Sequence, residues 1–198
     1  MKKETYIRIL FLAILIVVLN SFYIINEREQ AIITQFGKPI GDAKTKAGLE
    51  FKIPLIHTVI KFDKRILEWD GSANEIPTKD NKYIFIDTFA RWNISNPLQF
   101  YKSARNEMLA QSRLDDIIDG AVRDEISNRF MSEIVRSTDR EMGVYDSDID
   151  GGSDEVIKEG ARKSIIESIL LSVESKLNEL NIGISIVDFQ IKRMSYNR

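Results

Sequence analysis

An uninterrupted apolar run near the N-terminus constrains this chain more than any other feature. Residues 9–19 contain no polar side chain, and beyond Asn20 and Ser21 the apolar character resumes as far as Ile25. A helix over residues 9–25 would be about 25 Å long, which is close to the short end of a membrane span. A helix without a polar face is better suited to lipid than to the surface of a soluble domain. The pattern predicts a transmembrane helix over 9–25, preceded by a short cytoplasmic tail, 1–8.

A cleaved signal peptide is the alternative, because it also combines a basic start with a short apolar core. Such a peptide ends in small residues, whereas residues 18–21 are Val, Leu, Asn and Ser. We therefore expect an uncleaved anchor. Lys2, Lys3 and Arg8 precede the run, and a short basic tail is more easily retained in the cytoplasm than a large domain. The expected arrangement has the N-terminus in the cytoplasm and the main domain on the other side of the membrane.

The amino-acid composition excludes several classes of chemistry. The chain has no cysteine and a single histidine, His57, so disulfides, thiolate metal sites and two-histidine metal motifs are excluded. A formal net charge of -2 argues against nucleic acid as a partner, because phosphate binding requires a basic surplus. The catalytic patterns GxSxG and SxxK are absent from the sequence. We expect no enzyme activity and no cofactor; a hydrolase, or a general-base role for His57, is the alternative.

The remainder of the chain is an α+β sequence, with strands in its first half and helices in its second. Period-two alternation of apolar residues is clearest over 83–94 and predicts a strand with one apolar face. Asn96 followed by Pro97 indicates a helix start, because asparagine caps the first turn and proline fits its first position. Shorter strands are expected over 31–36, 49–53 and 58–63, helices from 97 to about 104, from 107 into the 120s and from 155 to 180, and a last strand over 184–191.

An acidic, glycine-containing loop is expected over residues 139–155. Within it, Asp146, Asp148 and Asp150 match the first half of an EF-hand loop, in which alternate carboxylates surround calcium with oxygen atoms. The bidentate glutamate that completes such a loop is replaced by Ile157. We therefore expect a solvated loop and no metal, with calcium binding by the three aspartates as the alternative.

Four blocks, taken in order, resemble the SPFH/band 7 family, which includes stomatin, prohibitin, flotillin and the bacterial HflK and HflC proteins. They are EREQAIITQFGKPI, AGLEFKIPLIHTVIKFDKR, TKDNKYIFIDTFARWNISNPLQFY and LNELNIGISIVDFQIKRM. Shorter stretches, FDKRILEWDG and AQSRLDDIIDGAVRDEIS, are most similar to the HflC branch. The resemblance extends from the apolar run to about Met194.

The resemblance implies a β-rich SPFH1 subdomain over 26–95 and a helical α/β SPFH2 subdomain over 96–194. Members of the family continue into a long C-terminal coiled-coil helix, whereas here only residues 195–198 follow, so a shortened chain or a fragment is expected.

The resemblance also implies that Ile53, Leu55 and Ile56 rest on the bilayer, the alternative being ordinary packing at a strand end.

The HflC branch implies a non-enzymatic scaffold on the periplasmic side of the bacterial inner membrane. Such a scaffold forms a hetero-oligomer with an HflK-like partner and modulates an FtsH-like AAA protease. The alternative is a stomatin-like membrane organiser with another client.

Overall fold

The computed structural model describes residues 2–135 and 161–196. In those ranges the helices are α1 (Lys2–Leu19), α2 (Pro97–Ser103), α3 (Glu107–Ser127), α4 (Met131–Val135) and α5 (Ala161–Glu179). The strands are β1 (Phe22–Ile25), β2 (Glu29–Gln35), β3 (Lys38–Lys44), β4 (Gly48–Phe51), β5 (His57–Asp63), β6 (Leu67–Asp70), β7 (Asn74–Pro77), β8 (Tyr83–Ile94) and β9 (Ile184–Tyr196). The predicted α+β class is confirmed. The acidic loop with Asp146, Asp148 and Asp150 lies outside the described residues.

The N-terminal helix begins and ends earlier than the span predicted over 9–25. It starts at Lys2 and stops at Leu19, so the prediction of a helix as far as Ile25 is wrong. The Asn20 amide donates to the carbonyl oxygen of Ile16, and the Ser21 hydroxyl to that of Val17, both at 2.9 Å. Such bonds compete with the helical ladder. The aromatic and β-branched residues that follow form β1. Among the helices in the described ranges, none is both long and apolar enough to cross a membrane.

The strands form three antiparallel sheets. Sheet A pairs β1 with β4, and sheet B has the order β3-β2-β5. In sheet C, β8 pairs on one side with β6 and β7 and on the other with β9. The sequence did not predict β3 and β7, because Pro39, Gly41 and Pro77 indicate loops; β3 lies at a sheet edge, where proline and glycine are tolerated.

The core of the second half is built on the apolar face of β8. Alternate residues from Ile84 to Ile94 are buried, as the period-two pattern predicts. They share one core with the buried faces of α3 and α5. The side chain of Asn96 accepts bonds from the Leu98 and Gln99 N–H groups and so caps α2, which confirms the predicted helix start.

Phe100 on α2 joins sheet B to sheet C. Its fully buried ring packs edge-to-face on Phe62 of β5, with centroids 5.2 Å apart, and stacks on Trp92 of β8 at 6.5 Å. Beside it, the buried Gln30 amide of β2 donates to the Ile94 carbonyl oxygen at 3.0 Å. The strand-rich and helical halves therefore share one continuous core.

Candidate membrane-contact surface

Two turns of sheet B meet at one end of the sheet. The last residue of β2, Gln35, lies opposite the first residue of β5, His57. The residues that follow Gln35 and those that precede His57 therefore emerge at the same edge. Among them, Phe36 is 85% exposed and Leu55 is 99% exposed. Both adopt positive φ angles, 48° and 71°, a conformation that is rare for bulky residues and is concentrated at functional positions.

The end of sheet A that follows the N-terminal helix leads directly into the loop that carries Leu55, because β4 ends at Phe51 and β5 begins at His57. Phe22 of β1 is paired with Phe51 of β4, and their rings pack edge-to-face 6.0 Å apart. The N–H of Lys52 donates to the Ser21 carbonyl oxygen at 2.7 Å, which joins the loop after β4 to the segment after α1. This end of the molecule therefore carries a cluster of exposed apolar side chains, which we call the apolar tip: Phe22, Phe36, Phe51, Ile53, Leu55 and Ile56.

The apolar surface continues beyond the tip in both directions. Further along sheet A, Ile24 and Leu49 are paired and are 62% and 65% exposed. In the other direction, α1 exposes every large apolar side chain from Ile9 to Leu19. Contiguous exposed apolar surface on this scale is unusual for a water-soluble monomer and is typical of a surface that contacts lipid or protein.

The charged groups at the tip are basic. Lys52 follows Phe51, and Lys38 of β3 lies opposite Gln35. Within the part of the chain that the structure describes, neither lysine takes part in an ion pair. Glu50, one residue before Phe51, is 3.3 Å from Lys44, so its charge is balanced. The tip therefore combines apolar side chains with two uncompensated positive charges.

His57 closes the loop that carries Ile53, Leu55 and Ile56. Its backbone N–H donates to the Ile53 carbonyl oxygen at 2.9 Å. Its ring Nδ1 accepts a bond from the Ile53 N–H at 3.2 Å. We call this reciprocal pair the histidine latch.

The residues Ile53, Leu55 and Ile56, selected from the sequence, are all exposed and lie together in one loop. Whether they touch lipid stays a prediction. Sequence reasoning missed Phe22, Phe36 and Phe51, because only strand pairing brings them to the same end. The one local signal was Phe36 directly before Gly37, a bulky residue in a tight turn.

An open recess at the opposite end of sheet B was considered as a ligand site. There Glu29 lies opposite Asp63, about 20 Å along the strands from the tip. Hydrogen bonds lower both carboxyl pKa values below the ordinary range: Lys61 lies 2.7 Å from Glu29, and Arg65 lies 2.6 Å from Asp63. These charges compensate each other, so we assign no ligand to the recess. Over residues 2–135 and 161–196, no group of three acidic or histidine side chains is placed to hold a metal.

The chain belongs to the SPFH domain / Band 7 family, whose model matches residues 23–198. Protein HflC of Treponema pallidum is 34% identical over 195 residues, which cover 92% of this chain and 58% of that protein. Protein HflC of Borreliella burgdorferi is 35% identical over 190 residues, which cover 91% of this chain and 57% of the relative. The Escherichia coli relative, named modulator of FtsH protease HflC, is 28% identical over 211 residues, which cover 94% of this chain and 62% of that protein. The chain thus spans about three fifths of the length of these relatives.

Proposed function

We propose that this protein is a non-enzymatic, membrane-anchored scaffold of the HflC type that modulates an FtsH-like membrane protease. The observation that carries the proposal is similarity to HflC proteins over more than nine tenths of the chain, one relative being named as a modulator of FtsH protease. In this role the proteolytic chemistry belongs to the protease. The scaffold contributes surfaces that restrict access to it.

The anchor in this proposal is α1, assisted by the apolar tip. The helix, Lys2–Leu19, is about 27 Å long, which is close to the roughly 30 Å thickness of a hydrocarbon core. We place the N-terminus in the cytoplasm and the rest of the chain on the periplasmic side of a bacterial inner membrane. The tip then lies in the outer-leaflet interface, where backbone groups still reach water.

The partners in this proposal are an HflK-like protein and an FtsH-like protease. Affinity purification of the tagged full-length protein from its own membranes, in mild detergent, should recover both. Recovery with an unrelated membrane protein instead would favour the stomatin-like alternative. Recovery of the protein alone would contradict the proposed assembly.

Contact between the apolar tip and lipid can be tested directly. An environment-sensitive dye is attached to a Phe36→Cys variant of the full chain, which has no other cysteine, and the protein is reconstituted in vesicles. We expect lipid-like emission and quenching by brominated lipid. Adding Leu55→Asp and Ile56→Asp should shift the emission towards that of water, because each lost apolar contact is worth about 1.5–3 kcal/mol.

The matched control combines Leu171→Asp with Leu180→Asp, which places the same two charges on an exposed leucine of α5 and on the exposed leucine that directly follows this helix. It should leave the emission of the dye at position 36 unchanged. Water-like emission before any aspartate is introduced would contradict lipid contact by the tip. Equal effects of the tip and control substitutions would assign the change to general charge repulsion.

A further inference from the structure

An exposed apolar pair lies in the first turn of α3. Met108 is 78% exposed and Leu109 is 49% exposed. Among the large apolar side chains of the described residues, only Phe36 and Leu55 of the apolar tip are more exposed than Met108. We call Met108 and Leu109 the α3 knob. Projecting apolar side chains of this kind suit insertion into a complementary depression on a partner.

An open recess of about 380 Å³ lies on the opposite face of sheet C, where β6 begins. Its lining residues are Arg65, Ile66, Leu67, Glu68, Phe89 and Arg91. The indole N–H of Trp69 donates to Asp115 of α3 at 2.6 Å, so α3 covers the face of the sheet that carries Trp69. Side chains alternate along a strand, and Glu68, with Arg91 opposite it, therefore lies on the other face. The α3 knob and the recess are thus on opposite sides of the molecule.

The α3 knob and the recess also lie at about the same distance from the apolar tip. Asp115 of α3 is bonded to Trp69 of β6, and Asp119 accepts from Asn74 of β7 at 3.1 Å, so the helix runs in the direction from β6 to β7. Met108 then lies about 10 Å before Asp115 along the helix. Ile66 lies about 10 Å before Trp69 along the strand. Both surfaces are therefore at the end of sheet C that joins sheet B.

The charges around the two surfaces are complementary. Arg105 and Glu107 precede the α3 knob, and the recess carries Arg65, Arg91 and Glu68. Each recess arginine is paired with an acid of its own chain, yet 62% and 49% of their side chains stay exposed. A guanidinium has five N–H donors and can hold a second carboxylate. Opposite charges at the rim of an interface orient the partners.

We propose that the α3 knob of one copy inserts into the recess of a second copy of this chain. The inference deepens the proposed scaffold function, because it assigns the surface through which copies of the scaffold assemble. Since the two surfaces lie on opposite sides, the contact is heterologous, and each copy has two neighbours instead of closing a dimer. Since they lie at the same distance from the tip, every tip in the assembly faces the same membrane.

Disulfide cross-linking tests this contact in the full chain, which has no cysteine of its own. The purified protein is reconstituted in vesicles and oxidised; a disulfide forms only where two Cα atoms come within about 7 Å. Met108→Cys and Ile66→Cys in one chain should give a ladder of dimers, trimers and larger species. Either single variant should stay monomeric, and a mixture of the two single variants should give dimers and nothing larger.

The matched control pairs Leu171→Cys with Ile66→Cys, since Leu171 is an exposed leucine of α5, and it should give no ladder. Leu109→Asp in the Met108→Cys, Ile66→Cys chain should reduce the ladder about tenfold or more, the factor that corresponds to one lost apolar contact. Leu180→Asp, the same change at another exposed leucine, should leave the ladder intact.

Three results would overturn the proposal: no ladder from the double variant, an equal ladder from the control pair, or dimers from the single variants in equal amount. The measurement requires no protease, so its failure is distinguishable from failure of the proposed function. Absence of the ladder would leave modulation of a protease standing. A ladder from a protein that does not change proteolysis would support this contact and contradict only the modulator role.

Discussion

Replacing Phe100 by alanine should lower the free energy of unfolding by about 3–5 kcal/mol, the range for truncation of a buried aromatic side chain. The ring is fully buried and contacts both Phe62 and Trp92. Its removal leaves a cavity where sheet B, sheet C and α2 meet. Denaturant unfolding of the full chain in detergent, followed by tryptophan fluorescence, measures the loss.

The position of Phe100 predicts where the damage appears. Hydrogen exchange should accelerate in β2 and β5, because the ring connects those strands to the larger core. Phe100→Leu is the matched control, since it keeps apolar volume and loses only the ring contacts; it should cost much less. A loss below about 0.5 kcal/mol for the alanine variant, within the range of surface substitutions, would contradict the description of one continuous core.

Replacing Gly183 by alanine should cost about 2–4 kcal/mol, for two reasons that can be separated. The residue has φ of 78°, a conformation that costs other residues about 1–2 kcal/mol. A Cβ at this position would also lie 2.7 Å from the Phe100 nitrogen and still closer to the Asn96 carbonyl oxygen. Both are backbone atoms, so relief requires a shift of α2. Thermal or denaturant unfolding measures the sum.

Gly37 offers a matched control for the backbone part of this cost. Its φ is 80°, almost the same, but a Cβ there would meet no atom within 4 Å. Gly37→Ala should therefore lose only about 1–2 kcal/mol. If the two alanine variants lose the same stability, the close approach of α2 to the β9 turn is not a source of destabilisation.

Local sequence signals predicted the elements whose stability depends on local pattern. The strand over 83–94 and the helix starts at Pro97 and Glu107 agree with the structure, because alternation, the Asn96 cap and the helical spacing of apolar residues act within a few residues. β3 and β7 were missed for the opposite reason. Their proline and glycine residues disfavour a strand locally, and pairing with β2 and β8 overrides that preference.

The candidate membrane-contact surface likewise has one part that local sequence predicts and another part that depends on strand pairing. The apolar loop at Ile53, Leu55 and Ile56 is visible in the sequence because it is apolar next to Pro54. Its neighbours Phe22 and Phe36 come from other turns, and only the register of sheets A and B brings them to one end. The extent of α1 was also misjudged. Hydropathy continues to Ile25, but the side-chain bonds of Asn20 and Ser21 and the pairing of β1 end the helix at Leu19.

The most direct test of the proposed function is the rate at which an FtsH-like protease degrades a membrane substrate. The rate is compared in membranes of the natural host with and without this protein, and after restoration with either the full chain or its Leu55→Asp, Ile56→Asp variant. We predict that removal changes the rate, that the full chain restores it, and that the tip variant restores it less well. An unchanged rate on removal would contradict the assignment of this chain as a protease modulator.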